Sequence, residues 1–227
     1  MARGRAPRGS SVAGCAYDLR TVHTPCAQFA PPDRGPGIPS PEFPPLSYAA
    51  REIARIRQHF PGSSQDTFVG PDARPATYQQ SQPGRFGLLH FSAHGVANQQ
   101  SPLDSAIILC KDGDGFKLYA RNIIPIHLRP DLVTISACRS AGARSYSGEG
   151  LVGFVWAFLQ AGARSVIAGL WDVTDSSTHG MMDVLYSLIK DGHRPADALR
   201  QAKLELIHST GNYRKPYYWG PFQIYTR

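Results

Sequence analysis

The sequence has few cysteines, and none of the four, Cys15, Cys26, Cys110 and Cys138, falls in a Cys-x-x-Cys pair. Neither a zinc ribbon nor a disulfide framework is expected from such spacing, and a reducing, cytoplasmic compartment is the default. The chain also lacks an apolar run of the ~20 residues that a membrane-spanning helix needs. Val12-Ala13-Gly14-Cys15 has the form of a lipoprotein cleavage box, but the apolar stretch of roughly 7–15 residues that should precede it is missing. No membrane association is expected. There is no Gly-rich phosphate-binding loop, and nothing calls for a cofactor. His90 and His94 stand four apart, yet Phe91 occupies the place where a helical metalloprotease pair needs glutamate, so no metal site is expected either.

Charge of one sign is not concentrated. The formal net charge is +7, but residues 1–60 hold 8 basic against 4 acidic residues and the remainder holds 16 against 13. Without a clustered basic helix or an aromatic-basic stripe, nucleic acid is not an expected partner.

What is present is an ordinary globular composition, 42% hydrophobic and 18% charged, in 227 residues, enough for one sizeable core. Residues 1–45 hold nine of the nineteen prolines and almost no periodic apolar pattern. Such a segment does not recover its ordering entropy by burial, so it is expected to be a disordered or linker tail ahead of a folded domain at 46–227. In "YAAREIARIRQHF", Ile53, Ile56 and Phe60 form a stripe on an otherwise basic helix, which Pro61-Gly62 stops.

From Phe86 onward, short apolar runs alternate with amphipathic helices. "FGLLHFSA", "SAIILC", "DLVTISAC" and "RSVIAGLW" each predict a strand buried on both faces, as in a parallel sheet. Between the last two, Leu151, Phe154, Val155, Phe158 and Leu159 mark a helix closed by Gly162, a β-α-β crossover. Met182, Leu185, Tyr186 and Ile189 form another stripe, closed by Gly192, and Leu199, Ala202 and Leu206 a third, opened by Pro195. "YYWGPFQIYT" reads as a closing strand. The fold class expected is α/β, a doubly wound, mostly parallel sheet flanked by helices. "KDGDGFKL" fails as an EF-hand, because the loop starting at Asp112 would put Ile123 where glutamate is needed; Asp-Gly between apolar runs predicts a hairpin.

The chemistry-bearing residues sit at strand ends. As a strand, "LLHFSAHG" carries His94 to the carboxyl edge of the sheet, where ligands bind in open α/β folds, while His90, deeper in the run, reads as a hydrogen-bonded core histidine. Cys138 ends a second strand before a Gly/Ser-rich loop and follows His94 by 44 residues. Alone it would read as a small buried hydrophobe. With His94 it makes the two parts of a thiol nucleophile, since an imidazole must raise the thiolate fraction and later protonate the leaving amine.

The segments "HFSAHG", "SPLDSAIILCKDG", "LVTISACRSAG", "GEGLVGFVWAFLQAGARSVIAGLWDVTD" and "PYYWGPF" resemble the CHAT domain, a caspase-like cysteine peptidase family related to caspases and separases; the likeness runs from about Tyr48 to Thr226. It implies a caspase-like sheet and a cytoplasmic, bacterial-type endopeptidase that cuts protein or peptide substrates with His94 as acid/base and Cys138 as nucleophile. It further implies an oxyanion hole from the backbone N–H groups of Gly95 and Cys138. "LWDVTD" resembles the separase segment near the pocket for the residue before the cut, which makes Asp172, with Asp175 as second choice, the implied partner of a substrate arginine or lysine. On its own residues Asp175 reads equally as a helix cap. Family members often carry tetratricopeptide-type repeats upstream, so a helical-repeat regulatory partner or adjoining domain is implied. The rival reading is a catalytically silent interaction module of the same shape. Glu149 reads as a first-turn helix residue, and Trp156, Trp171 and Trp219 as packing aromatics.

Overall fold

The structure is a computed structural model, and it describes residues 19–23, 43, 46, 48–98, 100–113, 115–136, 149–171, 173 and 175–227. In chain order the elements are β1 (Leu19–His23), α1 (Ala49–Gln58), β2 (Gln65–Val69), α2 (Pro75–Gln80), β3 (Leu88–Ser92), β4 (Gly95–Val96), β5 (Ala106–Asp112), β6 (Gly115–Tyr119) and α3 (Ala120–Ile123). There follow β7 (Leu132–Ile135), α4 (Glu149–Ala161), β8 (Ser165–Gly169), α5 (Asp175–Lys190), α6 (Pro195–His208), α7 (Pro216–Trp219) and β9 (Phe222–Thr226).

Six strands form the main sheet in the order β2-β1-β3-β7-β8-β9, the first five parallel and β9 antiparallel to β8. This is the mostly parallel, helix-flanked α/β sheet that the apolar runs predict. Alternate residues of each central strand point to opposite faces and divide the core in two. Leu89, Phe91, Val133, Ile135, Val166 and Ala168 pack with Tyr78 of α2 and with Phe154 and Phe158 of α4. Leu88, Leu132 and Ile167 pack on the other side with Ile56 of α1, with Met182, Leu185 and Tyr186 of α5, and with Leu199 and Ala202 of α6. Every residue of β3, β7 and β8 is buried, which explains why these strands read as unbroken apolar runs.

Two helix ends follow the predicted glycines through Schellman geometry, in which backbone N–H groups close on the last turn's carbonyls. At α4, Gly162 (φ +119°) donates to Leu159 O and Ala163 to Phe158 O; at α5, Gly192 (φ +88°) donates to Ile189 O and His193 to Leu188 O.

Four expectations are corrected. Leu19–His23, inside the segment 1–45 expected to be tail, pairs in parallel with both β2 and β3 and so lies within the sheet. Its five residues "LRTVH" carry only two apolar side chains, too short a signal against the prolines around it. "SAIILC" is buried as expected, but β5 belongs to a separate three-stranded antiparallel sheet with β4 and β6. The hairpin that "KDGDG" predicts, Asp112 opposite Gly115, is what makes its neighbour antiparallel. Trp156 is exposed (46%) rather than packed inside, whereas Trp171, 39% exposed, lays its ring beside Gly220. On α4, position 156 lies about 200° around the helix from Phe154, whose side chain points to the sheet. Finally, Cys110 is buried and disulfide-bonded, where no disulfide was expected from its spacing.

Candidate active site

The chain leaves β1 toward β2 on one side and returns to β3 on the other, so the strand order reverses between β1 and β3. At such a switch point the connections diverge and leave a crevice outside the carboxyl ends of the strands. His94 lies there, two residues past Ser92, the last residue of β3. Its side chain is buried, its ring centroid lies 5.5 Å from that of Phe43, and its carbonyl accepts the Ile108 N–H at 2.8 Å. Gly95 then pairs with Ile107 as β4 begins. The His94 backbone is thus held where the main sheet hands over to the small one. A Cβ placed on Gly95 would meet nothing within 4 Å, and its φ is not in the left-handed region, so neither packing nor backbone strain accounts for glycine there.

The neighbouring strand is β7. Leu88 pairs with Leu132, Leu89 with Val133, His90 with Thr134 and Phe91 with Ile135, a constant offset of 44 residues. The Ser136 N–H donates to Phe91 O at 2.9 Å and carries the ladder one residue beyond the strand. Of the other residues singled out in the sequence, Cys138 and Asp172 lie outside the described residues, as does the side chain of Asp175. α5 begins at Asp175 and α4 at Glu149, each in the first turn of its helix. Trp171 donates its indole N–H to Tyr217 O at 3.0 Å.

Near the carboxyl ends of β3 and β7, on the α1/α5 face, lies a polar cluster only partly legible in the sequence. The Glu52 carboxylate, carried by α1, accepts from His90 Nε2 at 2.8 Å and from the Ser136 hydroxyl, and it is hydrogen-bonded to Ser92 as well. His90 Nδ1 lies 3.0 Å from the Tyr186 hydroxyl, which donates to Thr134 Oγ1 at 3.0 Å. All six groups are buried. Burial alone would raise the Glu52 pKa; hydrogen bonding from His90, the charge of His90, and hydrogen bonds from Ser136 and Ser92 outweigh it and hold the carboxyl below its usual range. Burial pushes the Tyr186 phenol above its ordinary value, against the Thr134 hydrogen bond and with the Glu52 charge. His90 is therefore the hydrogen-bonded core histidine that its place in the strand predicts. Glu52 went unnoticed, although a signal exists: it is an acid on the same helical stripe as Ala49, Ile53 and Ile56. Among the described residues no group of three or more His, Cys, Asp or Glu is placed to hold a metal ion.

The main sheet, mostly parallel with an antiparallel last strand and flanked by helices, has the caspase-like fold expected from the sequence. The fold is similar to that of the Arg-specific cysteine proteinase gingipain R of Porphyromonas gingivalis, at TM-score 0.56 and 10% identity over 92% of this chain and 45% of the proteinase. It is also similar to the Saccharomyces cerevisiae separase in its complex with securin, at TM-score 0.55 and 13% identity over 93% of this chain and 12% of that one. At these identities the likeness is one of fold. Residues 29–227 match the CHAT domain, and the chain belongs to that family. Among curated proteins it is similar to tetratricopeptide repeat protein 28, 28% identical over 47% of this chain in Mus musculus and 24% identical over 67% in Homo sapiens. The chain spans only 4% and 6% of the length of those two relatives. Both are mammalian, whereas the sequence reading expected a bacterial-type protein.

Proposed function

We propose that the chain is a cysteine endopeptidase in which Cys138 is the nucleophile and His94 the general acid/base. The observation that supports this reading most directly is the register: every pair of β3 with β7 differs by 44 residues, and so do His94 and Cys138. Two strands that end at one level and continue at that offset would bring a sulfur and an imidazole to the same peptide bond. His94 takes the Cys138 thiol proton, and the thiolate attacks the scissile carbonyl carbon. The oxyanion is held by the backbone N–H groups of Gly95 and Cys138, and the open space beside Gly95 is consistent with a substrate lying against it. Collapse to the thioester expels the amine, which takes the proton from His94. Water, deprotonated by His94, then releases the acid.

Asp172, or in second place Asp175, would pair with a basic residue before the cut; the arginine specificity stated for gingipain R supports that choice. A helical-repeat partner or adjoining domain would regulate the site, as the naming of its relatives suggests. Among the described residues no helix is long and apolar enough to cross a membrane; the cytoplasmic location expected from the cysteine spacing rested on free thiols, and the disulfide at Cys110 withdraws that support.

The test is covalent labelling by a basic-residue acyloxymethyl ketone, with reductant present because Cys110 is disulfide-bonded. Cys138→Ala is expected to abolish labelling and His94→Ala to slow it by about 10²–10⁴. Labelling that survives in Cys138→Ala refutes the nucleophile, and a wild-type protein that never labels favours the silent interaction module.

A further inference from the structure

Glu52 stands out because no step of the proposed reaction uses it, yet it is a buried carboxylate ringed by donors from two strands. Ser92 and Ser136, both hydrogen-bonded to it, occupy equivalent places. They are separated by the same 44 residues as the paired strands, and each lies two residues ahead of a member of the proposed dyad, His94 and Cys138. The Ser136 hydroxyl lies a further 3.3 Å from Phe91 O and 3.4 Å from His90 Nε2, so it touches β3 as well as α1. Leucine or valine at these positions would fill the volume without the desolvation cost of a buried carboxylate. Packing therefore does not explain the cluster.

We propose that Glu52 is a positioning residue: its carboxylate bridges Ser92 and Ser136 and so holds the ends of β3 and β7 in register, fixing where the chain departs toward His94 and Cys138. This rests on the dyad reading for its catalytic consequence but not for the clamp itself. His90 completes the device. Its Nε2 lies 2.8 Å from the Glu52 carboxylate, and its Nδ1 lies 3.0 Å from the Tyr186 hydroxyl, which itself donates to Thr134. The His90 ring is thereby fixed at both nitrogens, and the carboxylate is held against β3 from one side while Ser136 holds it against β7. Without the bridge, backbone hydrogen bonds still pair the strands up to Ser136 N–H and Phe91 O. On the β3 side the next backbone group held is the His94 carbonyl, which accepts the Ile108 N–H at 2.8 Å.

The experiment compares wild type with Ser92→Ala, Ser136→Ala and Glu52→Gln. Each serine variant removes one hydroxyl and keeps the core volume, so these remain informative should Glu52→Gln not fold. Two readouts are taken at a temperature where every protein scored is folded by circular dichroism. Backbone hydrogen exchange at residues 92–96 and 136–140 is expected to quicken at least tenfold in the variants while β8 and α6 exchange as in wild type. The maximal rate of acyloxymethyl ketone inactivation is expected to fall by about tenfold or more with the inactivator's half-saturating concentration little changed, because misplacement rather than binding is affected. Unchanged exchange at both strand ends overturns the clamp. Quickened exchange with an unchanged inactivation rate overturns the positioning role. Quickened exchange in a family of proteins of which even the wild type does not label leaves the clamp standing and overturns the peptidase reading instead.

Discussion

Glu52→Gln replaces a carboxylate by an isosteric amide and should be among the most destabilising single substitutions in the chain. The side chain is fully enclosed and faces His90 at 2.8 Å, with Ser136 and Ser92 as its other partners. Gln keeps one oxygen acceptor but loses the carboxylate charge, and its NH2 group faces His90, Ser136 and Ser92, whose hydrogen bonds must rearrange to receive it. Removing one partner of a buried pair costs about 3–5 kcal/mol, and retention of one acceptor puts the expected loss near the lower end. The pH dependence supplies an independent check. Because the folded pKa of Glu52 is depressed below the ordinary carboxylate range, its contribution is fully present above the unfolded pKa and is lost as pH falls through the folded value. Urea unfolding of both proteins should show a gap of about 3 kcal/mol at pH 7 that closes as the pH is lowered below the ordinary carboxylate range. A gap under ~0.5 kcal/mol at pH 7, the level of ordinary surface substitutions, would refute the reasoning. So would a gap of constant size down to pH 3. The double variant Glu52→Gln/His90→Gln should lose less than the two single variants summed, because both changes break the same Glu52–His90 hydrogen bond.

Gly95→Ala should leave the thermal midpoint within about 1 °C, since the added methyl meets nothing and the backbone is unstrained, yet lower the labelling rate of Cys138; unaltered labelling would remove Gly95 from the proposed oxyanion hole. Gly153→Ala should destabilise by about 1–3 kcal/mol, because its Cβ would overlap the Pro102 carbonyl where α4 crosses the Pro102–Asp104 turn; a neutral result in urea unfolding would mean that this crossing gives way. Phe158→Ala, at a fully buried position between α4 and β3, should cost about 3–5 kcal/mol in the same assay, and a loss below 1 kcal/mol would contradict the packing described.

Strands buried on both faces leave a compositional trace, and β3, β7 and β8 were legible for that reason, as were the helices that Gly162 and Gly192 end. β2 left no such trace: it is a half-exposed edge strand, "QDTFV", whose apolar residues need cover only one neighbour. Half-burial spreads the pattern thin. β1 was hidden for a different reason, since its place between β2 and β3 depends on partners 46 and 69 residues further along the chain, Gln65 and Leu88 against Leu19. The candidate site divides in the same way. His94 and Cys138 were visible as polar or reactive residues closing apolar runs, while Glu52, in a helix that read as basic, became meaningful only opposite His90 and the two serines.

The sequence by itself determined which apolar runs must be buried, where the helices stop, and that a histidine follows one of those runs, because period, turn chemistry and residue type are local properties. Only the tertiary structure decided strand order, the constant 44-residue register, and the antiparallel placement of β5. It alone brought Glu52 of α1 beneath the ends of two strands. Hydrogen bonding between remote segments and the desolvation of a carboxylate are properties of the assembled interior, and no window along the chain contains both partners.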